Sequence, residues 1–403
     1  MKWEKVKLGN VCEITSSKRI FYSEYVDDGV PFYRSKEIIE SDEGKVIENP
    51  LYISVDKYNE IKEKFGVPQT GDMLLTSVGT IGIPYIIKKK DCFYFKDGNL
   101  TWFRDFREGL NSKYLYYWIK SSEGTGILYN TTIGSSQKAL TISALKNIKV
   151  SLPPRSVQDK IVEVVSAYDD LIENNQKQIK LLEEAAQRLY KEWFVNLRFP
   201  GHENTKIVDG VPEGWQWCKV RDVADINSSA LPKNYKGDFI DYVDLGSVRC
   251  GHIETRTRYN LNEAPGRAKR CAKDGDIIWG MVRPNLKAYA LVTNPKETDV
   301  FSTGFAVLSA KKVPYSYLYC AVTQEEFVGY LVNATNGAAY PAVKPVHFEV
   351  ADILKPDDKV LEQFHSVADS IYRKKEALEN QNHNLRESRD LILPKLMSGE
   401  VEV

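Results

Sequence analysis

The sequence has little with which to hold itself together covalently. Its six cysteines, Cys12, Cys92, Cys218, Cys250, Cys271 and Cys320, are scattered without a CxxC pair, which fits reduced thiols better than a disulfide frame or a zinc site. Cys250-Gly251-His252 is the nearest approach to a ligand pair, and no second pair lies close to it. No stretch approaches the ~20 apolar residues that cross a bilayer. MKWEKVKLGN lacks the apolar core of a signal peptide, so a cytoplasmic protein is expected. Charge of one sign is also lacking: Lys+Arg and Asp+Glu both number 55. Any basic binding face must therefore be local.

Catalytic patterns are equally scarce. Gly79-Thr80-Ile81-Gly82 lacks the lysine with which a phosphate loop reaches its ligand. Asn49-Pro50-Leu51-Tyr52 approaches the Asn-Pro-Pro-Tyr motif of adenine methyltransferases, but its third residue is Leu and no Gly-rich loop precedes it. It reads as a turn entering a strand. Pro356-Asp357-Asp358-Lys359 is an ordinary first helical turn. The five histidines are isolated, and no metal site is expected.

What is present is a heptad helix near the middle of 403 residues. Ile161, Val165, Tyr168, Ile172, Asn175, Ile179, Leu182, Ala186, Leu189 and Trp193 alternate in steps of four and three, the spacing of a coiled-coil seam. A weaker seam follows in Phe364, Ile371, Leu378, Leu385 and Ile392, with Val360, Val367, Lys374, Gln381 and Ser388 at the alternate position. Pro394 is expected to cut this second helix short.

The chain also repeats itself. Trp3 to Ile14 can be laid on Trp215 to Ile226, Gly71-Asp72 on Gly275-Asp276, and Tyr114-Leu115-Tyr116 on Tyr317-Leu318-Tyr319. Each half reads as short β-branched and aromatic strands with a short helix, then a proline and a heptad helix. The expected fold is α+β: two pseudo-repeated globular domains, 1–154 and 199–355, separated by long helices at 155–198 and 356–403. Connectivity makes those helices an antiparallel coiled coil, a rod of about 50 Å with a domain at each end. Asn175 would face the neighbourhood of Lys374 to Gln381 and fix register. Its replacement by Leu is expected to keep or raise the melting temperature.

Polar and basic loops recur at equivalent places. In the first half they supply Arg34, Ser35, Lys36, Ser77, Thr80, Ser135, Ser136, Gln137 and Lys138. In the second they supply Arg256, Arg258, Arg267, Lys269, Arg270, Arg283, Asn285, Lys287 and Tyr340. Arg and Lys suit phosphates, while Arg, Asn and Gln give bidentate contacts to base edges. These are the candidate DNA-binding residues. A self-contained adenine methyltransferase and a coiled-coil scaffold that never touches nucleic acid are the alternatives.

Several stretches carry a resemblance to one family over essentially the whole chain: Val30-Pro31-Phe32-Tyr33-Arg34-Ser35-Lys36-Glu37-Ile38, Gly71 to Gly82, Val150-Ser151-Leu152-Pro153-Pro154 to Gln158, Met281 to Lys287, and Leu396-Met397-Ser398-Gly399-Glu400-Val401. Together they are similar to the specificity subunit of type I restriction-modification enzymes. The resemblance implies two target-recognition domains, each reading half of a split site in double-stranded DNA, with the helices as spacer. It further implies docking of two modification subunits, which methylate adenine with S-adenosylmethionine. Through them would come restriction subunits that use ATP and Mg. This chain would then bind no cofactor and be non-catalytic.

Overall fold

A computed structural model describes residues 3–42, 44, 47, 49–134, 138–335 and 341–403. Four candidate site residues, Ser135, Ser136, Gln137 and Tyr340, lie outside them. The chain forms two compact units, Met1–Asn175 with Gln381–Val403 and Gln176–Asn380. The expected four-part division is cut differently here, because each unit takes part of both long helices.

In the first unit, Glu4–Lys7 pairs antiparallel with Lys149–Leu152. A four-stranded sheet follows in the order Glu13–Thr15, Leu100–Arg104, Met73–Thr76, Pro84–Ile86. A second sheet orders Tyr25–Val26, Leu51–Ile53, Val30–Tyr33 and Tyr94–Phe95. Helices Ser112–Lys120, Ser122–Thr131 and Ile142–Asn147, with Ser35–Asp42 and Val55–Phe65 earlier in the chain, complete the unit. Asn111 caps the first of these by accepting from the backbone N–H of Lys113 at 2.9 Å.

The second unit repeats this plan. Gln216–Lys219 pairs with Asp352–Lys355, and Ala224–Ile226, Phe305–Ala310, Ile277–Gly280 and Tyr289–Leu291 form the equivalent sheet. The other sheet keeps one parallel pair in both units, Phe32 beside Tyr94 and Tyr242 beside Val300. Its fourth strand is added at opposite edges: Tyr25–Val26 beyond the antiparallel neighbour in one unit, Ala268–Arg270 beyond the parallel neighbour in the other. The repeat is anchored at the same turn. Gly71 and Gly275 both have positive φ, at 92° and 83°. The buried Asp72 and Asp276 that follow accept from the N–H groups of Gln69 and Lys273, and burial raises the pKa of both.

The long helices span Arg155–Tyr190, continued by one π turn over Lys191–Val195, and Asp358–Ser398. Gln158, fully buried, ties the start of the first to the loop before Ser112: its amide donates to Gly109 and Pro153 carbonyls and accepts from the Asn111 N–H. Pro394 does not end the second helix, which passes through it to Ser398. One lost N–H bond so near a helix end is offset by the packing of Leu393, Leu396 and Met397 in the core of the first unit.

The helices run antiparallel in each unit. In the first, Ile161 and Val165 share a core with Leu393 and Leu396, Arg389 bonds Asp169 at 2.6 Å, and Asn175 meets Asn382. In the second, Lys375 bonds Glu183 at 2.8 Å, and Tyr190 packs on Phe364. Of the expected seam, Ile161, Val165, Ile172, Asn175, Ile179, Phe364 and Leu378 are buried, while Tyr168, Leu182, Leu189, Ile371, Leu385 and Ile392 are half-buried. The alternate stripe of the second helix needs correction. Val360 is buried as expected, but Val367 is 46% exposed and Lys374, Gln381 and Ser388 lie outside, whereas Leu361, Ala368, Lys375, Asn382 and Leu396 are buried. The stripe falls one residue later because it lies four residues past Phe364 and Ile371, not three.

That shift changes what Asn175 does. Its amide donates to the side-chain oxygens of Gln381 at 3.0 Å and Asn382 at 2.9 Å, and Asn382 is only 3% exposed. Leucine at 175 would strand a buried amide, which reverses the expectation that this change is harmless.

Candidate nucleic-acid interface

Each unit brings two loops together by a matching bridge. In the first, the hairpin loop between Met73–Thr76 and Pro84–Ile86 is tied to the following polar loop by the Val78–Ala139 bridge and the bond from Leu140 N–H to the Ser77 carbonyl. In the second, Val282 bridges Ala342, and the Val343 and Arg283 N–H groups donate to the Met281 and Pro341 carbonyls. The loop bearing Thr80 and the segment starting at Lys138 are thus joined by the fold, as are the loop bearing Arg283 and the segment starting at Pro341. Thr80 is exposed, and the Lys138 ammonium lies 3.6 Å from the Tyr129 ring centre, which lowers the pKa of that phenol.

Ser77 is a correction. It is 1% exposed, and its hydroxyl is shared with Thr101 at 2.6 Å inside the sheet. Sequence placed it in a loop, whereas the bend begins only after it.

The remaining basic residues divide by whether a carboxylate already holds them. Arg34 is gripped by Glu37 through Nε and Nη2, at 3.2 and 2.6 Å. Burial works against the Glu37 charge, yet Arg34 and the helix-start N–H hold its carboxyl below the usual range. Ser35 is half-buried, and Lys36 is exposed near Glu40. Arg258 clamps Asp241 in bidentate fashion at 2.9 and 3.1 Å and lies over the Phe239 ring; it lowers the pKa of Asp241. Arg256 reaches the buried Asp299 at 3.4 Å. These two arginines serve the sheet first, since carboxylates buried without them would be costly. Arg270 is half-buried on its strand, and Lys287 pairs with Glu325 at 2.5 Å. Arg267, Lys269, Arg283 and Asn285 are exposed with no side-chain partner among the described residues. They are the least committed donors in the second unit.

The structure adds residues that the sequence reading missed. Just after the strand Glu13–Thr15, Lys18 and Arg19 lie beside Phe21 and Tyr22, which are 62% and 91% exposed. Lys233 and Lys236 are exposed at the same place in the second unit, after Ala224–Ile226. The signal was there in the run Lys18-Arg19-Ile20-Phe21-Tyr22, where bases and aromatics interleave.

Among the described residues, no group of three His, Cys, Asp or Glu is arranged to hold a metal, and no helix is long and apolar enough to cross a membrane. Topology and loops together define a class: a duplicated α+β protein in which each unit carries an antiparallel stretch of both long helices. Comparison with known proteins makes this specific. The family model of the type I restriction modification DNA specificity domain matches residues 1–184. The MjaIX specificity subunit of a type I restriction enzyme from Methanocaldococcus jannaschii is 27% identical over all of this chain and 94% of its own. The MjaVIII specificity subunit of the same organism is 22% identical over all of this chain and 93% of its own. A crystal structure of a type I restriction-modification S subunit from M. genitalium shares the fold, with a TM-score of 0.60, 13% identity, and coverage of 98% of this chain and 96% of that one. Residues 1–184 thus match the type I restriction modification DNA specificity domain, and the whole chain is similar to specificity subunits of type I restriction enzymes.

Proposed function

We propose that each unit reads one half of a bipartite sequence in double-stranded DNA, and that the helix pair sets the spacing between halves and docks two modification subunits. S-adenosylmethionine would act on those subunits. ATP and Mg would act on restriction subunits recruited through them, and this chain would supply recognition without catalysis.

The observation that carries this reading is that both units join an exposed hairpin loop to a polar loop through the same bridge, Val78–Ala139 and Val282–Ala342. Exposed Thr80 and half-buried Lys138 in one, and exposed Arg283 and Asn285 in the other, offer donors of the kind that meet phosphates and base edges. The test is a map of methylated adenines in the source genome, before and after exchange of either recognition region. A bipartite motif whose halves change one at a time is expected. An unchanged map after deletion of this gene and its neighbours refutes the proposal.

A further inference from the structure

The two hairpin loops differ at their two most constrained positions. In the first unit, the residue after the bridging valine is Gly79, and the residue two before the strand partner of Leu75 is Gly82. Both have positive φ, 79° and 86°. In the second unit the matching positions, one after Val282 and two before Tyr289, are Arg283 and Lys287. Their φ values are 50° and 52°, the left-handed region that glycine enters freely and side-chain-bearing residues avoid. Positive φ is kept at these two positions in both units, with glycine in one and two cations in the other, although the second loop is one residue longer and carries a 3-10 turn over Pro284–Leu286. Non-glycine residues held there point to function.

The loop is also fixed at both ends. The Arg283 N–H donates to Pro341, Lys287 donates to Pro284, and the Lys287 carbonyl accepts from Cys250. Pro284 is buried beneath the turn. Lys287 is neutralised by Glu325 at 2.5 Å, whereas Arg283 is exposed and has no side-chain partner among the described residues. A phosphate contact needs only charge, and a lysine on a relaxed loop supplies it. A rigid, strained seat for an unpaired guanidinium suits a directional contact instead.

Resting on the function proposed above, we infer that Arg283 is a specificity-determining residue that reads a guanine through its N7 and O6 acceptors in the half-site of the second unit. The first unit, with Gly79 at this place, has no such contact.

The experiment selects bound sequences from a library of random DNA duplexes, using the full chain assembled with its modification subunits, for wild type, Arg283→Gly and Arg283→Lys. Wild type is expected to select a bipartite motif with an invariant G·C pair in one half. Arg283→Gly takes the residue the first unit uses, so its melting temperature stays level or rises. It loses preference at that one pair by roughly ten- to a hundredfold, with the other half unchanged. Arg283→Lys keeps the charge and loses the preference too. Restoration by lysine, or a uniform drop in affinity with a shallower salt dependence, overturns the inference in favour of a phosphate contact. An unaltered motif in Arg283→Gly overturns it as well. Wild type selecting no motif at all would instead refute the proposed function.

Discussion

Replacing Asn175 by leucine is the sharpest test of the helix pair, because the structure gives the change a sign that periodicity does not. Asn175 is 4% exposed and donates to Gln381 and to the equally buried Asn382. Gln381 lies outside and can turn to water; Asn382 cannot. Losing these bonds and stranding the Asn382 amide costs about 1–3 kcal/mol. The apolar groups of leucine, similar in shape to the amide, return about 1 kcal/mol. The net loss is on the order of 1 kcal/mol, or about 2–4 °C in melting temperature for a unit of this size. Removing both polar partners should reverse it: Asn175→Leu with Asn382→Leu leaves no stranded group and should melt above either single variant. Calorimetry on the four proteins yields a coupling energy of about 1–2 kcal/mol if the pair acts as a unit. A single Asn175→Leu variant that melts above wild type, with additive effects in the double, would refute the reasoning.

Three further outcomes follow from the same structure. His252 is faced by Glu379 at 2.8 Å and Glu183 at 3.4 Å, with Lys375 alongside; burial opposes its charge, but the carboxylates raise its pKa to about 9. A raised folded pKa stabilises fully below about pH 6.5 and is lost as pH rises through about 9, so His252→Gln should flatten melting temperature against pH in that window, and an unchanged slope would exclude the cluster as its source. Lys375→Ala leaves the Glu183 carboxylate without its buried partner and should cost about 3 kcal/mol by denaturant titration; a loss under about 1 kcal/mol would show the pair to be solvent-screened. Ser77→Ala should cost about 1 kcal/mol through its bond to Thr101 without altering DNA affinity in a gel shift, and reduced affinity at unchanged stability would return Ser77 to the interface.

The duplication was legible because its markers sit at points the backbone constrains. Gly71 and Gly275 occupy positive φ, and Asp72 and Asp276 are buried acceptors in the same turn. Few other residues satisfy those positions, so the pattern survives divergence. The first helix was legible because its seam is apolar nearly throughout. The surface was less so. Whether Arg256 and Arg258 are free depends on Asp299 and Asp241, which meet them only through sheet register. Whether Ser77 is exposed depends on where a strand bends. Local sequence carries neither fact.

In the second helix, the row of the seam beside Phe364, Ile371 and Leu378 is invisible to hydrophobic periodicity. Lys375, Asn382 and Arg389 fall on the inner face, and each is acceptable only with its partner, Glu183, Asn175 and Asp169. Hydrophobic pattern sees such positions as gaps. Yet these gaps define the register. A slip of one heptad would bring Arg389 beside Ile161 and Lys375 beside Asn175, burying two charges without a counter-charge, at several kcal/mol each. A purely apolar seam would accept that slip at little cost. The polar pairs therefore trade strength for a single alignment, which is what a helix pair needs if it is to hold one fixed spacing.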